Sequence, residues 1–113
     1  MATLFTKIIN REIPAKIIYE NENVLAFEDI NPQAPHHVLI VPKVEIPTIN
    51  DLTPENVHHV GNLFLAAKDI AKQLGVSERG YRVVMNCNAE AGQTVFHLHL
   101  HLLGGRRLSW PPG

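Results

Sequence analysis

Between Val95 and Leu103 the chain alternates: Phe96, Leu98, Leu100 and Leu102 are apolar, and His97, His99 and His101 fall between them. Side chains on a β-strand alternate faces, so this pattern predicts a strand with one core face and one histidine face. Successive imidazoles would stand roughly 6–7 Å apart along it. Four further strands are predicted. Lys16–Glu20 and Asn23–Glu28 flank the polar turn Asn21-Glu22, a hairpin signal. His37–Val41 is a β-branched run ended by Pro42, and Tyr81–Asn86 precedes the histidine segment across a short loop, Cys87–Gln93. Val57, Val60, Leu63, Phe64, Ala67, Ile70, Ala71 and Leu74 recur at spacings of three and four, one apolar helical stripe. Thr53 as N-cap, Pro54 at the first helical position, Glu55 in the first turn and Gly75 as stop bound that helix. Leu4–Arg11 predicts a short helix ended before Pro14. Hairpins and one long helical crossover give an α+β fold on a five-stranded antiparallel sheet, with one long and one short helix.

Length and balance narrow the class. At 113 residues and 45% apolar content, the pattern predicts one domain spanning 1–113. A formal charge of −1 offers no broad basic field for nucleic acid or an anionic membrane. No apolar run approaches the roughly 20 residues of a membrane span, and Met1–Asn10 lacks a secretory pattern. A single cysteine, Cys87, has no internal partner and fits a reducing compartment. The expected location is cytoplasmic.

Three imidazoles in one row can serve as nucleophile, base, acid or metal ligand near neutrality, since the unperturbed pKa is about 6.5. Two chemistries remain open from the residues alone. In metal-free nucleophilic catalysis the middle ring, His99, is the natural nucleophile, its tautomer fixed by a bond at Nδ1, with a neighbouring imidazolium offsetting phosphate charge. In a zinc site, Glu90 or Cys87 would complete the ligand set. The loop from Asn86 to Thr94, with Gly92, Gln93 and Thr94, brings donors suited to an anionic tetrahedral group such as a phosphate ester or phosphoramidate. Gly104-Gly105 would loosen the far end. Asp29 starts the proline-bounded loop Asp29–Pro35, where it reads as a turn-initiating Asx residue or as a ligand for a hydroxyl, the turn being favoured on chemistry alone. His58 and His59 read as a solvated pair.

The run His97-Leu-His99-Leu-His101-Leu-Leu matches the pattern His-φ-His-φ-His-φ-φ. Together with Pro32-Gln-Ala-Pro35, Gly92-Gln93-Thr94-Val95 and the Trp110-Pro-Pro-Gly113 end, it makes the chain resemble the histidine-triad (HIT) nucleotide-binding family, most of all its HINT-like branch of purine nucleoside phosphoramidases. The resemblance covers essentially the whole chain. It implies metal-free hydrolysis of nucleoside monophosphates that carry an amine on the α-phosphate, without a cofactor. It implies His99 as the nucleophile forming a nucleotidyl-histidine, with His97, His101 and His37 in the imidazole network. Asp29 would hold the ribose hydroxyls, Phe5, Ile8, Ile13, Phe27 and Ile30 the purine, and Asn86, Gly92 and Thr94 the phosphate and leaving group. The resemblance further implies a homodimer with a ten-stranded sheet, the tail around Trp110 reaching the partner's site. Related branches are dinucleoside-polyphosphate hydrolases or nucleotidyltransferases, and a non-catalytic nucleotide-binding protein is the third alternative. Where many relatives carry loop glycines, this chain has Asn88 and Ala91.

Overall fold

A computed structural model describes residues 2–113. Helix α1 (Leu4–Ile9) is followed by strands β1 (Ile17–Glu20), β2 (Val24–Glu28) and β3 (His36–Pro42). Helix α2 (His58–Gln73) then leads to β4 (Tyr81–Val84) and β5 (Leu100–Gly104). The sheet is antiparallel throughout, in the order β1-β2-β3-β5-β4. The α+β class and five strands match the expectation.

Alternation along the central strands sends side chains to two differently covered faces. Val24, Ala26, Val38, Ile40, Leu100 and Leu102 meet Leu63, Ala66, Ala67, Ile70 and Ala71 of α2 in the main core. Each fully buried Leu or Ile there contributes about 1.5–3 kcal/mol. On the other face Leu25, Phe27, Leu39 and Val41 pack against Phe5 and Ile8 of α1. The cross-strand row Ile17, Phe27, Leu39, His101 and Val84 runs over this second face. One imidazole therefore extends an apolar row under a helix too short to cover the sheet.

Several boundaries differ from the pattern, each for a local reason. Asn21 Oδ1 accepts from the N–H of Asn23 and of Val24, both at 2.8 Å, so the first hairpin closes through an Asx turn. Helix α2 begins at His58, not after Thr53: Thr53 and Asn56 exchange side-chain and backbone bonds in a separate turn first. The buried stripe includes Ala66, whereas Phe64 is 49% exposed, so the helix is rotated slightly from the predicted face. Gly75 does end the run, at φ +76. The link from β4 to β5 is longer than a hairpin loop. It contains a 3-10 turn at Ala89–Ala91, and the regular strand starts only at Leu100. Of the three histidines only His101 lies on that strand. Leu98 still faces the core, its N–H donating to the Ile46 carbonyl at 2.7 Å, but Phe96 turns out to solvent.

Gly104 and Gly105 tighten the end of β5, contrary to the loosening expected. A Cβ on Gly105 would lie 2.9 Å from Pro35 Cβ, and its φ is +92. Gly105→Ala should therefore cost about 1–3 kcal/mol in urea unfolding through backbone strain alone, more with the clash. A stability equal to the parent chain would show that the backbone at 105 can leave the left-handed region and that loop 29–35 can retreat freely.

Candidate active site

Beside α1 the second sheet face opens into a cavity of about 400 Å³. Phe5, Ile8, Ile13, Phe27, Asp29, Ile30, Asn86, Gly92, Thr94, His99 and His101 all line it. Thus nine of the ten residues expected to bind substrate share one hollow with two of the four expected catalytic histidines. Trp110 does not: it is 79% exposed, near the Arg82 guanidinium at 5.9 Å from the ring centre. His37 and His97 lie behind the wall.

Partner atoms fix the four tautomers, because a carbonyl only accepts and a backbone N–H only donates. His99 Nδ1–H donates to the carbonyl of His97 at 2.8 Å, leaving the Nε2 lone pair free. His97 is fully buried. Its Nε2–H donates to the Pro42 carbonyl at 2.8 Å, and its Nδ1 accepts from the hydroxyl of Thr3 at 3.1 Å. Thr3 is also the N-cap of α1, so His97 ties that helix to the end of β3. His37 Nδ1 accepts the backbone N–H of Gln33 at 3.0 Å. The neutral ring then carries its hydrogen on Nε2, donated to His101 Nδ1 at 2.9 Å. His101 is left with its own hydrogen on Nε2. The cavity wall thus presents a bare nitrogen on His99 and an N–H on His101, the two ring centres 5.0 Å apart. Phe5 stands perpendicular to His99 at 4.9 Å and restricts its rotation.

Burial sets the charge of the row. It pushes His101 down to about 4, helped by the neighbouring His99 and His37 and opposed by Asp29. Burial likewise lowers His99, His97 and His37. The histidine row of the open site is therefore neutral near pH 7; an imidazolium there would need a bound anion to offset the burial, with its proton drawn from solvent.

Asp29 takes the turn-initiating role with one oxygen and leaves the other beside His37. Oδ1 accepts the Asn31 N–H at 2.8 Å, an Asx turn, while Oδ2 lies 3.4 Å from His37 Nε2. Gln93, by contrast, has both of its side-chain groups engaged within the protein and no N–H left to donate to a ligand. Its Oε1 accepts from Asn88 N–H, and its Nε2 donates to the carbonyls of Pro47 and Val95. It is a buried brace for the loop. That loop needs bracing: Asn88 sits at φ +68, where glycine is preferred, and Gly92 at φ +88. Composition gave no hint of Gln33, whose main chain sets the His37 tautomer, or of Thr3.

Among the described residues, one group of three offers ligand atoms mutually within 4.8 Å: Asp29, His37 and His101. Glu90 and Cys87 are not in it. Its histidine nitrogens already bond each other, so an ion there would replace that bond. His58 and His59 lie with tilted rings, centres 4.0 Å apart, at the start of α2 and outside the cavity lining.

The HIT domain family model matches residues 10–108, and the chain belongs to the HIT family. It is 52% identical over 106 residues to the purine nucleoside phosphoramidase of Escherichia coli, covering 94% of this chain and 89% of that one. It is 50% identical over 113 residues to the 14 kDa zinc-binding protein of Zea mays, covering 98% and 88%. A crystal structure of a HIT family hydrolase from Legionella pneumophila superposes with a TM-score of 0.96 at 52% identity, covering 99% of this chain and 100% of that one.

The lowered histidines carry a stability consequence. Below the ordinary value of 6.5 the unfolded chain binds protons that the folded chain refuses until about pH 4. Stability should therefore be full above pH 6.5 and fall as pH drops through that window. Urea midpoints should show a smaller fall in His101→Gln than in the parent chain. Identical pH profiles for the two would show that His101 titrates normally in the fold.

Proposed function

We propose that this chain hydrolyses purine nucleoside 5′-phosphoramidates to the nucleoside monophosphate and a free amine, through a transient nucleotidyl-histidine on His99. The observation that carries this reading is the pairing of a bare His99 Nε2 with a His101 Nε2–H at one cavity wall. The purine would enter between Phe5, Ile8, Ile13, Phe27 and Ile30, with Asp29 taking the ribose hydroxyls and Asn86, Gly92 and Thr94 the phosphate. His99 Nε2 attacks phosphorus and the P–N bond to the amine breaks, its electron pair leaving with nitrogen. The phosphoryl charge offsets the burial that keeps the row neutral. One proton is thereby taken up from solvent and passes by way of His101 to the departing amine. Water then attacks the nucleotidyl group and frees His99. His97 contributes its carbonyl and rigidity, and His37 orients His101.

We further propose a homodimer with the tail around Trp110 bordering the partner's leaving-group site. Support comes from β4, an edge strand within this chain, and from Val57, Phe64 and Leu65, which leave apolar surface exposed on and beside α2. No helix among the described residues is long and apolar enough to cross a membrane.

A second reading rests on the Asp29, His37 and His101 group: metal-assisted hydrolysis at the same wall. One assay separates the two. Adenosine and guanosine phosphoramidates should be turned over faster than diadenosine polyphosphates, with undiminished rate after treatment with a strong chelator. Turnover lost to the chelator and restored by zinc would favour the metal reading, and preference for the polyphosphates would move the chain to another branch of chemistry.

Asp29→Ala tests the ribose contact. Loss of a charge-assisted hydrogen bond costs about 1.5–3 kcal/mol, so kcat/KM for ribonucleotides should fall about 10–100-fold. The 2′,3′-dideoxy analogues should lose far less. Equal losses would leave Asp29 only its turn and its place beside His37.

A further inference from the structure

We propose that Arg106 is a positioning residue for the catalytic row: by clamping Gln33, it holds the hydrogen that makes His37 present Nε2–H, and hence His101 present its own Nε2–H to the cavity. The inference rests on the phosphoramidase reading for its catalytic consequence, but its structural content stands without it.

Arg106 lies just beyond β5 and does not line the nucleotide cavity. Its guanidinium reaches back to the loop before β3, where Nε and Nη2 both donate to the Gln33 carbonyl, at 3.2 and 2.9 Å. A third donor, Nη1, bonds the Arg107 carbonyl at 3.1 Å and keeps the planar group aimed at the loop. The N–H of that same Gln33 is the donor to His37 Nδ1. Its opposite ends are thus held by an arginine on one side and an imidazole on the other.

Gln33 has little else to keep it there. It is exposed and outside every strand, and among the described residues its side chain bonds only the Asn31 carbonyl of its own loop. Gly105 reinforces the clamp: only a residue without Cβ lets Pro35 approach so closely, which brings the loop within reach of the next side chain, Arg106. A planar fork with several donors suits a double bond to one carbonyl, which a lysine cannot reproduce.

While Gln33 N–H points at His37 Nδ1, that nitrogen cannot carry hydrogen, so the neutral ring is the Nε2–H tautomer. Its hydrogen fills His101 Nδ1. If Gln33 drifts, His37 can hold hydrogen on Nδ1 instead. His101 Nδ1 then loses its donor, and the ring can turn its lone pair rather than its N–H toward the leaving nitrogen. Asp29 Oδ2, 3.4 Å from His37 Nε2, favours the same tautomer but does not prevent Nδ1 from being protonated.

Ring-nitrogen NMR on the nucleotide-free, full-length chain at neutral pH reads the tautomers directly. The parent chain should show His37 and His101 as Nε2–H. In Arg106→Ala, His37 should become a mixture of tautomers, and Arg106→Lys should lie between the two. Steady-state kinetics on phosphoramidates with poor leaving amines should show kcat down about tenfold in Arg106→Ala, the scale of a small misplacement in a site, with KM within about twofold. Arg79→Ala, which removes another arginine from the same surface hollow without touching Gln33, is the charge control and should leave both readouts unchanged. An unaltered His37 tautomer in Arg106→Ala would overturn the proposal, as would equal effects from Arg79→Ala. A parent chain without phosphoramidase turnover would sink the functional reading instead, while the spectra would still decide the clamp.

Discussion

Four imidazoles gathered behind a small helix can stay there only as neutral rings, and most of the site follows from that constraint. A neutral imidazole has one donor and one acceptor nitrogen, so each buried ring demands a partner of matching sense. His97 finds a carbonyl and a hydroxyl, His37 a backbone N–H and another ring, and His99 a carbonyl. The nitrogens left open are one bare nitrogen and one N–H, both at the cavity. Satisfying the interior therefore determines what the surface of the site can do.

The two faces of the sheet divide the labour. The face under α2 holds the larger core and supplies rigidity, while the face under α1 is only partly covered and becomes the cavity. Thr3 links these roles: it caps α1 and bonds His97, so the helix that walls the cavity and the ring behind it are fixed together. Thr6 extends the link, its hydroxyl donating to Glu45 at 2.9 Å.

The legible part of this structure was periodic or local. Leu100 and Leu102 alternate with His101 as the pattern requires, and the Val60–Leu74 spacing marks the long helix. The cavity residues Phe5, Ile8, Ile13 and Phe27 were legible through family resemblance, because nothing in their spacing distinguishes a cleft wall from core. His97 and His99 were misplaced on a regular strand: alternation survives in extended chain, and hydrophobic period cannot tell a ladder from a segment bonded to Ile46. The depressed imidazoles and the parts of Gln33, Gln93 and Arg106 were not legible, since each depends on which distant main-chain group folds against it. Asp29 was ambiguous because one of its oxygens closes the Asx turn while the other stands beside His37.

A phosphoryl bond to His99 Nε2 is the step on which the proposed reaction depends. A rapid quench with nucleotide-labelled phosphoramidate, stopped under alkaline or denaturing conditions because phosphorus–imidazole bonds are acid-labile, should trap one adduct per chain. It should lie on the peptide containing His97 to His101, form faster than it decays, and vanish in His99→Ala together with turnover. Absence of any adduct through a resolved single turnover, with His99→Ala keeping most of its activity, would mean that water attacks phosphorus directly and would contradict the assignment.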